Sequence, residues 1–144
     1  LLIPLVSKEH SATFPAARCI PSYSGLRDAL ERSEWHVYSE YGEDGLLATT
    51  FECFGAESRT FVELGTENGD QCTTRLLREQ GWVGLMVDNN HNNTSRNLHR
   101  RQLSEGNVAV VLEELGFGRR RPVDLLTIDV DYSTYWVAKG VMEA

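Results

Sequence analysis

The period of the apolar residues switches twice between residues 60 and 88, and this constrains the fold more than any other feature. Thr60-Phe61-Val62-Glu63-Leu64 is a short β-type run that stops at Gly65, and Gly65-Thr66-Glu67-Asn68-Gly69 reads as a turn. A helix should follow through Gln80, capped by Asp70, with Cys72, Leu76 and Leu77 facing inward and Gly81 past its end. Trp82-Val83-Gly84-Leu85-Met86-Val87 then makes a second strand, ending at Asp88. Strand, helix and strand in such close succession form a unit whose two strands lie parallel.

The rest of the chain extends this alternation. The polar stretch Asn89 to Asn93 leads into a basic segment, Thr94 to Leu103, read as helical. Asn107 to Leu115 is also helical, with Val108, Val111, Leu112 and Leu115 on one face. Val123 to Val130 is nearly continuous and apolar, as buried parallel strands tend to be. Upstream, Leu26, Ala29 and Leu30 recur at helical spacing from Gly25. A second helix follows Tyr41-Gly42-Glu43-Asp44-Gly45, with Leu46, Leu47, Phe51 and Phe54 as its apolar residues and Gly55 closing it. Residues 1–24 hold three of the four prolines and read as an irregular arm before a domain over 25–144. Its start, Leu1 to Val6, reads as an edge strand or arm more readily than as the stub of a removed signal or anchor. The expected fold is α/β with a parallel sheet in the order 2-1-4.

Composition narrows the function. With 144 residues, 41% of them hydrophobic, the chain can bury a real core, yet no run is long enough to span a bilayer. The net charge of −7 falls on residues 1–72, and the second half is neutral. Nucleic-acid binding runs on phosphate neutralisation by Lys and Arg, so this balance speaks against a nucleic-acid partner. Two basic clusters, Arg96/Arg100/Arg101 and Arg119-Arg120-Arg121, read first as solvated surface and second as contacts to an anionic substrate. Cys19, Cys53 and Cys72 are widely spaced, which argues against a disulfide framework, and the four histidines form no ligand pair, so no metal is expected.

Three features carry candidate chemistry. Glu63-x-Gly65-x-x-x-Gly69 sits where a strand turns into a helix, and glycines there let the backbone approach a ligand. It is neither the dinucleotide fingerprint nor a phosphate loop, which favours a cofactor without a pyrophosphate. Asp88 ends the next strand, 25 residues past Glu63, where a carboxylate can accept from ribose hydroxyls; the competing reading is a turn cap. Asp129-Val130-Asp131 ends the last strand, and alternation would put both carboxylates on one side, able to take a proton or hold a cofactor's ammonium group. His91 could touch an adenine edge. Cys72 reads as a small buried hydrophobe rather than a reactive thiol at a helix start.

In order along the chain, Ser39-Glu40-Tyr41-Gly42-Glu43-Asp44-Gly45, Phe61-Val62-Glu63-Leu64-Gly65, Gly81 to Asp88, and Asp124 to Tyr132 resemble the FkbM-like S-adenosylmethionine-dependent methyltransferases. The resemblance spans about residues 37–140. It implies a Rossmann-like class I methyltransferase sheet, here ending after a fourth strand, with S-adenosylmethionine as cofactor. Glu63, Gly65 and Gly69 would surround its methionine part and Asp88 its ribose, with Thr66 and Asn89 also among the cofactor-binding residues. It also implies O-methylation of a small-molecule or glycan acceptor, with Asp131 the first choice to take the acceptor's proton and Asp129 the second, or else a contact to the cofactor. Glu40 stands where the family usually has Gln, and Tyr132-Ser133-Thr134 replaces its usual Gly-Asn-Asp or Gly-Ala-Glu. The third strand, expected between Leu103 and Asn107, has almost no room. Two other readings compete: a non-catalytic Rossmann-like module for binding or homodimerisation, its last strand open to a partner, and a nicotinamide-dependent oxidoreductase.

Overall fold

The computed structural model describes residues 23–143. The N-terminal arm therefore lies outside the described residues, apart from its last two, which open the first helix. The elements are α1 (Tyr23–Glu31), α2 (Glu43–Phe54), β1 (Thr60–Leu64), α3 (Arg75–Glu79), β2 (Val83–Asp88), β3 (Leu98–Arg100), α4 (Val108–Glu114), β4 (Leu125–Ile128) and α5 (Thr134–Met142). All four strands are parallel, in the order β3-β2-β1-β4. The alternation and order are consistent with a Rossmann-like α/β fold, and the 2-1-4 order read from the sequence holds.

The pleat sorts the core into two clusters, one on each face of the sheet. Val62 and Leu64 of β1 and Leu85 and Val87 of β2 pack with Val108, Val111 and Leu112 of α4 and Val137 of α5. Phe61 and Met86 point the other way, onto Cys72, Leu77, Trp82 and Leu98, with Leu47 and Phe51 of α2 against them. β1 is buried along its whole length, because it is flanked on both edges and covered on both faces. No helix among the described residues is long and apolar enough to cross a membrane.

Several expectations are corrected. The helix through Gln80 begins only at Arg75, because the Glu63 carboxylate reaches across from β1 and takes the N–H groups of Thr73 and Thr74 that a local cap would have served. Asp70 pairs instead with Arg96 at 2.7 Å. The basic segment Thr94–Leu103 is not a helix. A short 3-10 turn over Thr94–Arg96 ends at Asn97, whose φ of 55° is left-handed, and β3 follows, pairing Met86 with Leu98. The third strand thus occupies residues 98–100, not the gap before Asn107. Burial of Leu98 overrides the helical reading.

β4 begins two residues later than Val123 and stops at Ile128, with Leu126 39% exposed. Among the described residues it pairs with β1 alone, so it is less covered than the central strands. Among the described residues Cys72 is the free cysteine, and Cys53 is disulfide-bonded, which the wide spacing did not suggest.

Candidate active site at the carboxyl ends of the strands

A cavity of about 300 Å³ opens where β1, β2 and β4 end. β2 and β4 flank β1 on opposite sides, so the strand order reverses at this point, and open α/β sheets bind their ligands in the crevice such a reversal creates. Glu63, Gly65, Thr66, Asp88, Asn89, Asp129 and Asp131, all predicted from sequence, line it. Gly69 does not. Its φ of 77° makes the turn, and its missing side chain faces Met86 and Arg78, away from the cavity.

Glu63 is 3% exposed. Its Oε1 accepts from Thr73 N–H at 2.9 Å, and its Oε2 accepts from Thr74 N–H at 3.2 Å and from the Thr74 hydroxyl. Burial pushes its carboxyl above the ordinary range despite these bonds. Glu63 is the tie that folds residues 65–74 back over the strand end. Cys72 sits beside it, buried, with its thiol pushed up to about 12 by burial and by the Glu63 charge. It is an inert core group, as expected.

Asp88 is also largely consumed. Oδ1 accepts from the N–H groups of Asn90 at 2.8 Å and His91 at 2.9 Å and pairs with His91 Nδ1, while Oδ2 accepts from Glu67 N–H at 3.0 Å. Burial alone would raise its pKa, but the Asn90 and His91 contacts outweigh it and hold the carboxyl below the ordinary range. The turn cap read as the competing role is therefore present, and the same carboxylate pins the glycine loop to β2. Oδ2 keeps one lone pair for a ligand. His91 is bound to Asp88 and does not line the cavity.

On the β4 side, Gly65 is required by the backbone itself. At φ 86°, a Cβ there would stand 1.8 Å from the Asp129 carbonyl oxygen. The Asp129 N–H in turn donates to the Leu64 carbonyl at 2.8 Å. The strand has ended by this point, so alternation no longer places Asp129 and Asp131; the turn places them, and both reach the cavity wall, exposed. Tyr132 follows at φ 61°, in the left-handed region.

Of the remaining lining residues, Glu40, Tyr41, Glu43, Glu67 and Arg101 carry ionisable groups and were not singled out as site residues. Glu40 and Tyr41 come from the segment before α2, and Glu43 is the first residue of that helix. Asp44, itself buried, shapes that segment by accepting from Val37, Tyr38 and Ser39 N–H groups at 2.7–2.9 Å. The Glu40 carboxylate beside it raises the Tyr41 phenol pKa, so Tyr41 stays a hydrogen-bond donor. Arg101, from one of the two basic clusters, also lines the cavity and makes no ion pair among the described residues. With Glu67, the wall carries seven carboxylates and one guanidinium. No group of three His, Cys, Asp or Glu among the described residues is placed to hold a metal ion. Comparisons with protein-family models, curated proteins and solved structures find no match to this chain.

Proposed function

We propose that the chain binds S-adenosylmethionine and transfers its methyl group to a hydroxyl of a small molecule or glycan. The observation that carries this reading is the strongly acidic cavity at the strand-order reversal, in which Asp129 and Asp131 are left without protein partners among the described residues. The residues fit the cofactor. It carries a sulfonium, an ammonium and one carboxylate, and the wall offers many carboxylates and the single Arg101. The volume lies at the small end of pockets that enclose a ligand of that kind. Thr66, Asn89 and the remaining lone pair of Asp88 would hold the nucleoside; Asp129 would face the ammonium group, and Arg101 the carboxylate.

When bound, the cofactor supplies an electrophilic methyl group on sulfur. The chain's own task is then to align the acceptor and remove its proton. Asp131, exposed at the wall, is the group to accept the proton, and Asp129 is the second. Tyr41, kept protonated, can donate to an acceptor oxygen. A binding module without catalysis is the second reading, favoured by one observation: Glu63 and Asp88 are spent on holding loops.

Calorimetric titration with S-adenosylmethionine, S-adenosylhomocysteine and NADH, beside transfer of labelled methyl to a panel of hydroxyl acceptors, tests both. Binding of the first two with methyl transfer supports the enzyme, and binding without transfer the module. No stabilisation by either at millimolar ligand overturns the cofactor assignment, because a specific ligand must raise stability by RT ln(1 + [L]/Kd).

A further inference from the structure

We infer that Asn92 carries an N-linked glycan, attached in the compartment where the chain also forms its disulfide. Of the seven asparagines in the sequence, Asn92 and Asn93 alone have a hydroxyl residue two positions on, in Asn92-Asn93-Thr94 and Asn93-Thr94-Ser95. That pattern, with no proline in the middle, is the acceptor for oligosaccharide transfer and belongs on a surface loop of a secreted protein. Both copies of it lie on the connection from β2 to β3, which is such a loop. A second observation is independent of the pattern: Cys53 is disulfide-bonded. Disulfides persist in oxidising compartments and are rare where thiols are kept reduced, and oligosaccharide transfer to asparagine takes place in such a compartment.

The fold decides between the two overlapping acceptors. Transfer acts on the extended chain, and the folded protein must then accommodate the sugar. Asn92 stands between two anchors of its loop. Upstream, the Asp88 carboxylate accepts from the Asn90 and His91 N–H groups at 2.8 and 2.9 Å. Downstream, Asn93 N–H donates to the Leu98 carbonyl at 2.8 Å, and Leu98 N–H to the Asn93 carbonyl at 3.0 Å. Between them the Asn92 side chain is exposed. Its Oδ1 accepts from Arg100 N–H at 3.3 Å, while its Nδ2, the atom that bears the sugar, donates to no group among the described residues. Asn93 is half-buried, and its Oδ1 accepts from the Ser95 hydroxyl at 2.7 Å. Asn97 and Asn107 show the opposite use of an amide, each donating its Nδ2 to a backbone carbonyl, that of Gly84 and of Gln102.

The modification is a substitution at the first sugar of a lipid-diphosphate oligosaccharide. The Asn92 amide nitrogen forms a bond to that sugar's carbon, the bond from the carbon to the phosphate oxygen breaks, the amide gives up one proton, and the lipid diphosphate leaves. The amide oxygen is not consumed, so its bond to Arg100 N–H survives. Thr94, exposed on the 3-10 turn, supplies the hydroxyl that the acceptor pattern needs. The glycan leaves the molecule from the loop whose root, Asp88 and Asn89, lines the cavity, and Asn92 itself is not a lining residue. The assignment is independent of which ligand the cavity takes.

Expression of the whole chain through the secretory pathway of a eukaryotic cell, behind a cleavable signal, tests the assignment. The product should carry one glycan, seen as a mobility shift that peptide:N-glycosidase removes. Deglycosylation in heavy-oxygen water should convert Asn92, and not Asn93, to a labelled aspartate. Asn92→Gln and Thr94→Ala should each abolish the shift, while Ser95→Ala, which spoils the second acceptor alone, should keep it. Because transfer precedes folding, a variant that misfolds still reports its occupancy in the whole-cell lysate. Alkylation of the unfolded, unreduced product should label Cys72 and spare Cys53 until a reductant is added. A wild type without sugar, a sugar on Asn93, full occupancy in Asn92→Gln, or a Cys53 open to alkylation before reduction would overturn the inference.

Discussion

On the β1–β2 side of the cavity, Glu63 and Asp88 are buried and give their oxygens to backbone N–H groups. On the β4 side, Asp129 and Asp131 are exposed, and no donor among the described residues reaches their carboxylates. All four looked alike in the sequence, as acids at the ends of strands. The difference is one of depth. A buried carboxylate must be satisfied by protein donors, because leaving it unpaired in the interior is costly, and here the nearest donors are the loops that shape the cavity. An exposed one can wait for a ligand. The first pair builds the site, and the second pair is free to act in it.

The sharpest break in this division comes from Gly65. Its left-handed backbone and the Asp129 carbonyl 1.8 Å from a built Cβ mean that Gly65→Ala must either strain β1 or push β4 away. Left-handed strain and overpacking together should cost about 2–5 kcal/mol. Urea unfolding measures this. Full stability in Gly65→Ala would show that the β1–β4 contact is not as tight as described. Any loss of ligand binding in this variant then reports a displaced β4, not a side chain in the cofactor's place.

Glu63→Ala should follow, at about 1–3 kcal/mol, because it leaves the Thr73 and Thr74 N–H groups unsatisfied in the interior. Its pH behaviour is more telling. The folded Glu63 carboxyl is raised, so its contribution is full below the unfolded pKa and is lost as pH rises through the folded one. Asp88 is lowered, so its contribution is present above the ordinary carboxylate range and is lost as pH falls through its folded value. Glu63→Gln should therefore remove a decline of stability on the alkaline side, and Asp88→Asn a decline on the acid side. Parallel pH profiles for the two variants would refute the assigned causes.

Asp88→Ala should cost about 1–2 kcal/mol, less than Glu63→Ala, since water can reach the Asn90–His91 turn once the carboxylate is gone. One Asp88 lone pair is left for a ribose, so a cofactor should lose about 1.5 kcal/mol of binding, roughly tenfold. An analogue lacking both ribose hydroxyls should bind the variant and the wild type alike. Equal losses for both ligands would leave Asp88 with a structural role only.

How much of this was legible follows the range of the contacts. β1, β2 and the helix around Val108–Leu112 announce themselves through local periodicity, and the order 2-1-4 follows from parallel connections. β3 did not, because Arg96, Arg100 and Arg101 read as a basic helical face until Leu98 is seen paired beside Met86. The start of α3 was misread for a similar reason: its first N–H groups are satisfied by Glu63, ten residues upstream on another element. The acids at the strand ends could be located from sequence. Which of them were already spoken for could not, since that depends on loops folding back. Arg101 and Tyr41 reach the cavity only through the turn after β3 and the nest around Asp44, so no local pattern marked them.

The smallest effect on stability, and the one that separates the two sides most cleanly, belongs to Asp131→Asn. The carboxylate is exposed and accepts from no protein donor among the described residues, so the change should fall within about 0.5 kcal/mol, the range of ordinary surface substitutions. Asparagine keeps the shape and the polar oxygen and loses the capacity to take a proton. If Asp131 removes the proton of the acceptor hydroxyl, methyl transfer should fall by about 10²–10⁴-fold, the span of general-base contributions, while cofactor affinity holds. Asp129→Asn should show the complementary pattern, with weakened binding of the cationic cofactor and a smaller loss of turnover. Unchanged turnover in Asp131→Asn, with Asp129→Asn abolishing it, would exchange the two roles. Unchanged turnover in both would move the chemistry away from β4, to Glu40, Glu43 or Glu67, which also line the cavity.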